Sequence, residues 1–148
     1  VVNADQTLFS DVNMRRIECL TELSSLTLGA TLVTDRGLIH LLGLKRLNYL
    51  NLEGTRITDP GLVLVGGVTQ LGMLSLRDTN ITDAGLIHLN SMRRLEYLNL
   101  DETPITDAGL IHLFGMNQLT SLSLVGAKVP DEGEQELKRA LPSCYVSR

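Results

Sequence analysis

Five aspartates recur at one interval in this 148-residue chain, Asp35, Asp59, Asp83, Asp107 and Asp131, and three histidines, His40, His88 and His112, share a second repeated position. Carboxylates and imidazoles in register are the raw material of a metal site. Each aspartate, however, opens an Asp-x-Gly segment that reads as the start of a helix, where a carboxylate can accept an otherwise unpaired backbone N–H. Pro60 suits the first position of such a helix, which makes Asp59, and with it Asp35, Asp83 and Asp107, the expected N-caps. The histidines would stand on adjacent helices roughly 10 Å apart, too far to share one ion whose bonds to nitrogen are about 2 Å. The chain has no glycine-rich phosphate loop and no paired CxxC, and its repeat brings no serine or cysteine to a histidine and an acid. The expectation is therefore a protein that is not an enzyme, with no catalytic residue, no metal, no cofactor and no small-molecule substrate.

The interval that spaces the aspartates also spaces the leucines. LxxLxL begins at Leu23, Leu47, Leu71, Leu95 and Leu119, every 24 residues and without an insertion. That period, with leucines set for a short strand, is the signature of a leucine-rich-repeat solenoid, in which one unit cannot bury its apolar face alone. In the unit from Leu47 to Gln70, Leu50 and Leu52 alternate as a strand does. Thr55, matched by Thr31, Thr79 and Thr103, falls in the bend that follows, where its hydroxyl can satisfy buried backbone groups. Leu38, Leu41 and Leu44 recur as Leu86, Leu89 and Met92 and as Leu110, Leu113 and Met116, which keeps one face of a short helix inward. Gly61 and its counterparts sit early in these helices, where glycine is costly, and close approach to a neighbouring turn explains them.

The expected fold class is accordingly α/β: a right-handed α/β solenoid with a parallel sheet on the concave face and short helices on the convex face. Residues 1–148 read as a single domain. Residues 1–22 form a partial N-terminal repeat missing its start, 23–142 form five 24-residue repeats, and 119–148 form a C-terminal repeat plus a cap strand. At Gly133 the polar run Gly-Glu-Gln-Glu replaces the earlier Gly-Leu-Ile-His, as a water-exposed terminal cap requires, and Asp131 with Glu134 matches a capping box.

Composition narrows the partner. An apolar content of 43% suffices for a core even with only five aromatic residues, three Tyr and two Phe. A net charge of -4 and a pI near 5.3 lack the basic excess that phosphate neutralisation needs, so no nucleic-acid partner is expected. No apolar run reaches the roughly 18 to 20 residues of a membrane span, and the first residues lack a basic stretch followed by an apolar one, so neither a span nor a signal peptide is expected in these residues. Cys19 and Cys144 lie near opposite ends of the solenoid, more than about 20 Å apart at the usual strand spacing. A disulfide needs Cα atoms within roughly 7 Å, so both thiols are expected free, which points to the cytoplasm or nucleus.

What remains is the outward side of the strands. Its third-position column reads Ser25, Tyr49, Met73, Tyr97, Ser121, Tyr145 and contains every tyrosine of the chain. The fifth column, Thr27, Asn51, Ser75, Asn99 and Ser123, is small and polar, and the seventh and eighth supply Glu53, Arg77, Asp78, Asp101 and Glu102. Exposed strand positions have no packing need for tyrosine or methionine, which are enriched where proteins meet proteins. Tyr49, Met73, Tyr97, Glu53, Arg77, Asp78, Asp101 and Glu102 are therefore the expected partner-binding residues, and their acidic strip suits a protein partner with a basic segment. Lys45, Arg46, Arg93 and Arg94, at the helix-to-strand return of alternate repeats, are expected to serve helix C-termini.

The phrases Leu95-Glu-Tyr-Leu-Asn-Leu-Asp-Glu-Thr and Ile105-Thr-Asp-Ala-Gly-Leu resemble the ribonuclease-inhibitor-like class of leucine-rich repeats. In particular they are similar to the ITDxGL repeats of F-box/leucine-rich-repeat proteins and of many bacterial repeat proteins. The resemblance covers residues 1–148. It implies protein recognition through the concave sheet, as an adaptor, scaffold or substrate-recognition part of a larger protein, or as a regulatory segment of a multidomain enzyme or ubiquitin ligase.

Overall fold

In the computed structural model, which describes residues 1–148, seven short strands lie side by side in sequence order. They are β1 Val2–Asn3, β2 Ser25–Thr27, β3 Tyr49–Asn51, β4 Met73–Ser75, β5 Tyr97–Asn99, β6 Ser121–Ser123 and β7 Tyr145–Ser147. All pairings are parallel and the register never slips. Leu26 faces Leu50, then come Leu74, Leu98, Leu122 and Val146, each one repeat further along. Between strands the chain crosses the convex side through α1 Asp11–Ile17, a 3₁₀ segment Asp35–Leu41, α2 Asp59–Gly66, a 3₁₀ segment Asp83–Ser91, α3 Asp107–Leu110 with a 3₁₀ continuation Ile111–Leu113, and α4 Asp131–Ala140. Inward apolar residues recur every third position, a spacing that the three residues per turn of the 3₁₀ segments keep on one face. A single apolar core runs from Ala4 to Val146. No helix is long and apolar enough to cross a membrane.

The aspartates do not cap their own helices. The N-cap residues are Thr34, Thr58, Thr82 and Thr106, and each aspartate is the first helical residue. Its carboxylate instead reaches the next repeat: Asp35 Oδ1 accepts the Thr58 N–H (2.8 Å) and Oδ2 the Thr58 hydroxyl (2.5 Å). Asp11 does the same for Thr34, Asp59 for Thr82 and Asp83 for Thr106. The threonine cap makes this possible, because it offers two donors to one carboxylate. The ladder stops at Asp107, whose opposite number is Pro130, a residue with neither N–H nor hydroxyl.

The glycines follow from the same ladder. A Cβ on Gly37 would stand 2.5 Å from Asp11 Oδ1, and those on Gly61, Gly85 and Gly109 would meet Asp35, Asp59 and Asp83 at least as closely. The bend threonines behave as their position demands: Thr31, Thr55, Thr79 and Thr103 donate to Leu28, Leu52, Leu76 and Leu100 carbonyls at 2.5–2.7 Å. At the C-terminal end no capping box forms. Pro130 is the N-cap of α4, Glu134 pairs with Lys138 (2.5 Å), and Asp131 pairs with Arg148.

Candidate functional site on the concave face

Parallel strands in strict register turn each repeated position into a row across the sheet. In the third-position row, Tyr49 and Tyr97 are half-buried, Met73 between them is 39% exposed, and Tyr145 at the end is 71% exposed. Burial pushes the Tyr49 phenol up from its usual range, and Asp5, Tyr97 and Glu53 push it further the same way. Tyr49 therefore stands within electrostatic reach of an acid two strands to one side and of a second phenol two strands to the other.

The eighth position of each repeat leaves the sheet in the left-handed region: Gln6 (φ 55°), Ala30 (52°), Gly54 (63°), Asp78 (50°), Glu102 (56°) and Gly126 (77°). The reason is a backbone bond to the following repeat, such as Ala30 N–H to Glu53 O (2.7 Å) and Asp78 N–H to Asp101 O (2.9 Å). Non-glycine residues pay conformational strain there, and the geometry leaves Asp78 and Glu102 exposed along the C-terminal edge of the sheet.

Asp101 departs from the sequence expectation. It is only 9% exposed, and its Oδ1 accepts the Ser123 hydroxyl (2.5 Å) and the Val125 N–H (2.8 Å), with Ser147 donating in turn to Ser123 (2.9 Å). A carboxylate one methylene from the backbone is short enough to bond the adjacent repeat, so Asp101 ties strands together rather than facing a partner. Glu53 is longer and instead lies 3.6 Å from Arg77 Nε, both about half exposed. The row also contains a residue the sequence reading missed. Asp5, whose Oδ1 accepts the Gly29 N–H (2.5 Å), lies 24 residues before Gly29, but β1 is too short to announce its repeat.

Asp5, Glu53 and Asp78 surround a depression of about 230 Å³ floored by Gly29, Ala30 and Gly54. A larger one, about 480 Å³, opens at the other ends of the strands around Gly72, with Arg93, Arg94, Glu96 and Gln118 beside it. Of the four cations assigned above to helix termini, only Lys45 bonds a helix carbonyl, that of Leu42 (2.8 Å). Arg46 pairs with Glu22 (2.6 Å), while Arg93 and Arg94 have no carboxylate partner. Because all strands run the same way, the sheet is polarised, with acids along its C-terminal edge and free arginines at its N-terminal edge.

A family model described as Leucine Rich repeat matches residues 45–66 and 92–114, the two alternate repeats that carry Tyr49 and Tyr97. Among curated proteins no sequence match to the chain was found. A leucine-rich-repeat protein of Leptospira interrogans superposes with a TM-score of 0.70 at 18% identity, covering 90% of this chain and 33% of that one. An internalin of Listeria monocytogenes superposes with a TM-score of 0.70 at 24% identity, covering 97% of this chain and 45% of that one. The chain thus spans between a third and a half of these structures. They share the fold class read from the sequence, the leucine-rich-repeat solenoid.

Proposed function

We propose that the chain is a non-enzymatic protein-recognition module that grips a basic segment of its partner on the concave sheet, as the adaptor or substrate-recognition part of a larger intracellular protein. The leucine-rich-repeat fold is generally a protein-interaction module, and the ITDxGL likeness to ribonuclease-inhibitor-like repeats supports an adaptor role in cytoplasm or nucleus. The observation that carries the reading is the row Tyr49, Met73, Tyr97, in which an exposed methionine stands between two half-buried tyrosines on a sheet held by backbone bonds. A preorganised backbone lowers the ordering cost of binding, and aromatic anchors supply most of what an interface gains. Glu53, Asp78 and Glu102, with Asp5, steer a cationic segment toward that row, and Arg77 tempers Glu53.

The test is the double variant Tyr49→Ala/Tyr97→Ala, checked for unchanged far-UV circular dichroism and assayed on arrayed Lys/Arg-rich and Asp/Glu-rich peptides. Wild type is expected to retain the basic set and the variant to lose it by ten-fold or more. Equal retention by both proteins removes this face from consideration.

A further inference from the structure

Resting on that reading, we propose that the depression around Gly72 takes a carboxylate of the partner, so that the segment bound on the concave face is bipolar, with an acidic residue at the N-terminal edge of the sheet and its basic residues at the C-terminal edge. The depression, about 480 Å³, has Arg93, Arg94 and Glu96 in its lining together with Gly72, Asn48, Gln70 and Gln118. Met73 lines it too, and Met73 stands between Tyr49 and Tyr97 in the row across the sheet. A segment lying on that row therefore reaches the arginines without leaving the sheet.

The hollow lies where one repeat lacks a side chain. The second residue of successive repeats is Ser24, Asn48, Gly72, Glu96, Thr120 and then Cys144, so this repeat alone presents bare backbone there. Gly72 does not adopt the left-handed conformation that would call for glycine. A Cβ on it would meet Asn48 Oδ1 at 2.6 Å, so the Asn48 amide takes the space that a side chain would need.

The chain contains a twin of this turn in which the cations are engaged. Lys45 and Arg46 fill the places that Arg93 and Arg94 fill 48 residues later. In the twin, Arg46 pairs with Glu22 of the preceding repeat (2.6 Å) and Lys45 donates to the Leu42 carbonyl (2.8 Å). Around Arg94 the matching residues of the flanking repeats are Gln70 and Gln118, neutral groups whose amide nitrogens donate to the Leu44 (2.7 Å) and Met92 (2.9 Å) carbonyls. Arg93 and Arg94 are exposed and bond neither a carbonyl nor a carboxylate, and Glu96 beside them pairs with neither. Two guanidiniums against one carboxylate leave the lining a single net positive charge. One partner carboxylate neutralises it, whereas a phosphate group near two negative charges would overshoot. A guanidinium also offers a carboxylate two parallel N–H donors. Glu53, Asp78 and Glu102 carry the opposite charge at the other edge, which fixes where each end of the segment lies.

Labelled peptides test this on the intact chain by fluorescence polarisation: a Lys/Arg block joined through a Gly/Ser spacer to a Glu pair, the same peptide with Gln in place of Glu, and both with the order of the blocks reversed. In at least one order the Glu form is expected to bind five-fold or more tightly than its Gln form. Arg93→Ala/Arg94→Ala is expected to erase that difference while leaving the Gln form's affinity unchanged. Lys45→Ala/Arg46→Ala removes the same charge from the twin turn and is expected to preserve the difference, with circular dichroism unchanged in both variants. Equal binding of Glu and Gln forms in both orders, a difference that survives Arg93→Ala/Arg94→Ala, or an equal loss in the two variants overturns the carboxylate pocket and leaves recognition of a basic segment standing. Binding of none of the four peptides overturns both.

Discussion

Asp83 and Asp107 occupy the same place in successive repeats, yet only the first has anything to hold. Asp83 accepts both Thr106 donors, at 2.8 and 2.6 Å, while Pro130 offers Asp107 none. Hydrogen bonds to a charged group contribute about 1.5–3 kcal/mol, so Asp83→Ala should cost about 2 kcal/mol of stability. Asp107→Ala loses little more than a favourable helix-dipole interaction, about 0.5 kcal/mol. Urea midpoints of the two variants decide it, and equal losses would mean that the ladder contributes nothing. Tyr49 carries a pH dependence of its own. Its folded phenol is held above the ordinary value by burial, then by Asp5, Tyr97 and Glu53. The associated stability is fully present below the unfolded value near 10 and is lost as pH rises through the folded one. Urea unfolding of Tyr49→Phe should consequently fall less between pH 9 and pH 11 than that of wild type.

The convex segments show how far pattern reading reaches. Their existence, their inward face and the glycine near each start were legible, because a leucine every third residue and an Asp-x-Gly at fixed spacing leave few alternatives. The role of the aspartate was not legible. Asp-Pro-Gly is an equally good sentence for an N-cap, and only the neighbouring coil, brought alongside, shows that Thr58 does the capping and Asp59 bonds Thr82. This makes two glycines behave oppositely. A methyl on Gly85 would run into the Asp59 carboxylate and break that bond, so Gly85→Ala should destabilise by about 1–3 kcal/mol. Gly115 has nothing within 4 Å of the added carbon, and Gly115→Ala should be neutral or stabilising by up to about 1 kcal/mol. Thermal melts of both variants test the contrast.

A solenoid has ends, and its stability is a sum over neighbours. α4 closes one end with Glu132, Gln135, Glu136 and Lys138 turned to water while Leu137 and Leu141 are buried against the last full repeat. Deleting residues 129–148 uncovers Leu122 and Leu124 along with the outer edge of β6. The shortened chain is expected to lose its monodisperse peak in size-exclusion chromatography and to melt well below wild type; an unchanged profile would show that α4 is no cap. At the other end α1 and the turn before it expose Val12 and Leu8, at 77% and 85%.

Repetition made the solenoid readable from the amino acids alone, because a 24-residue leucine period admits one continuous core and one sheet direction. The row of tyrosines followed, since their column needs only the register. Three matters had to wait for the folded chain: that Asp101 is turned inward to Ser123 and Val125, that Asp5 joins the acidic edge, and that Arg93 and Arg94 bond neither a helix carbonyl nor a carboxylate, unlike Lys45 and Arg46. Each depends on which side-chain atoms of one coil reach the next. That is a question of about one methylene in length, and a repeat pattern, which records position but not reach, does not contain it.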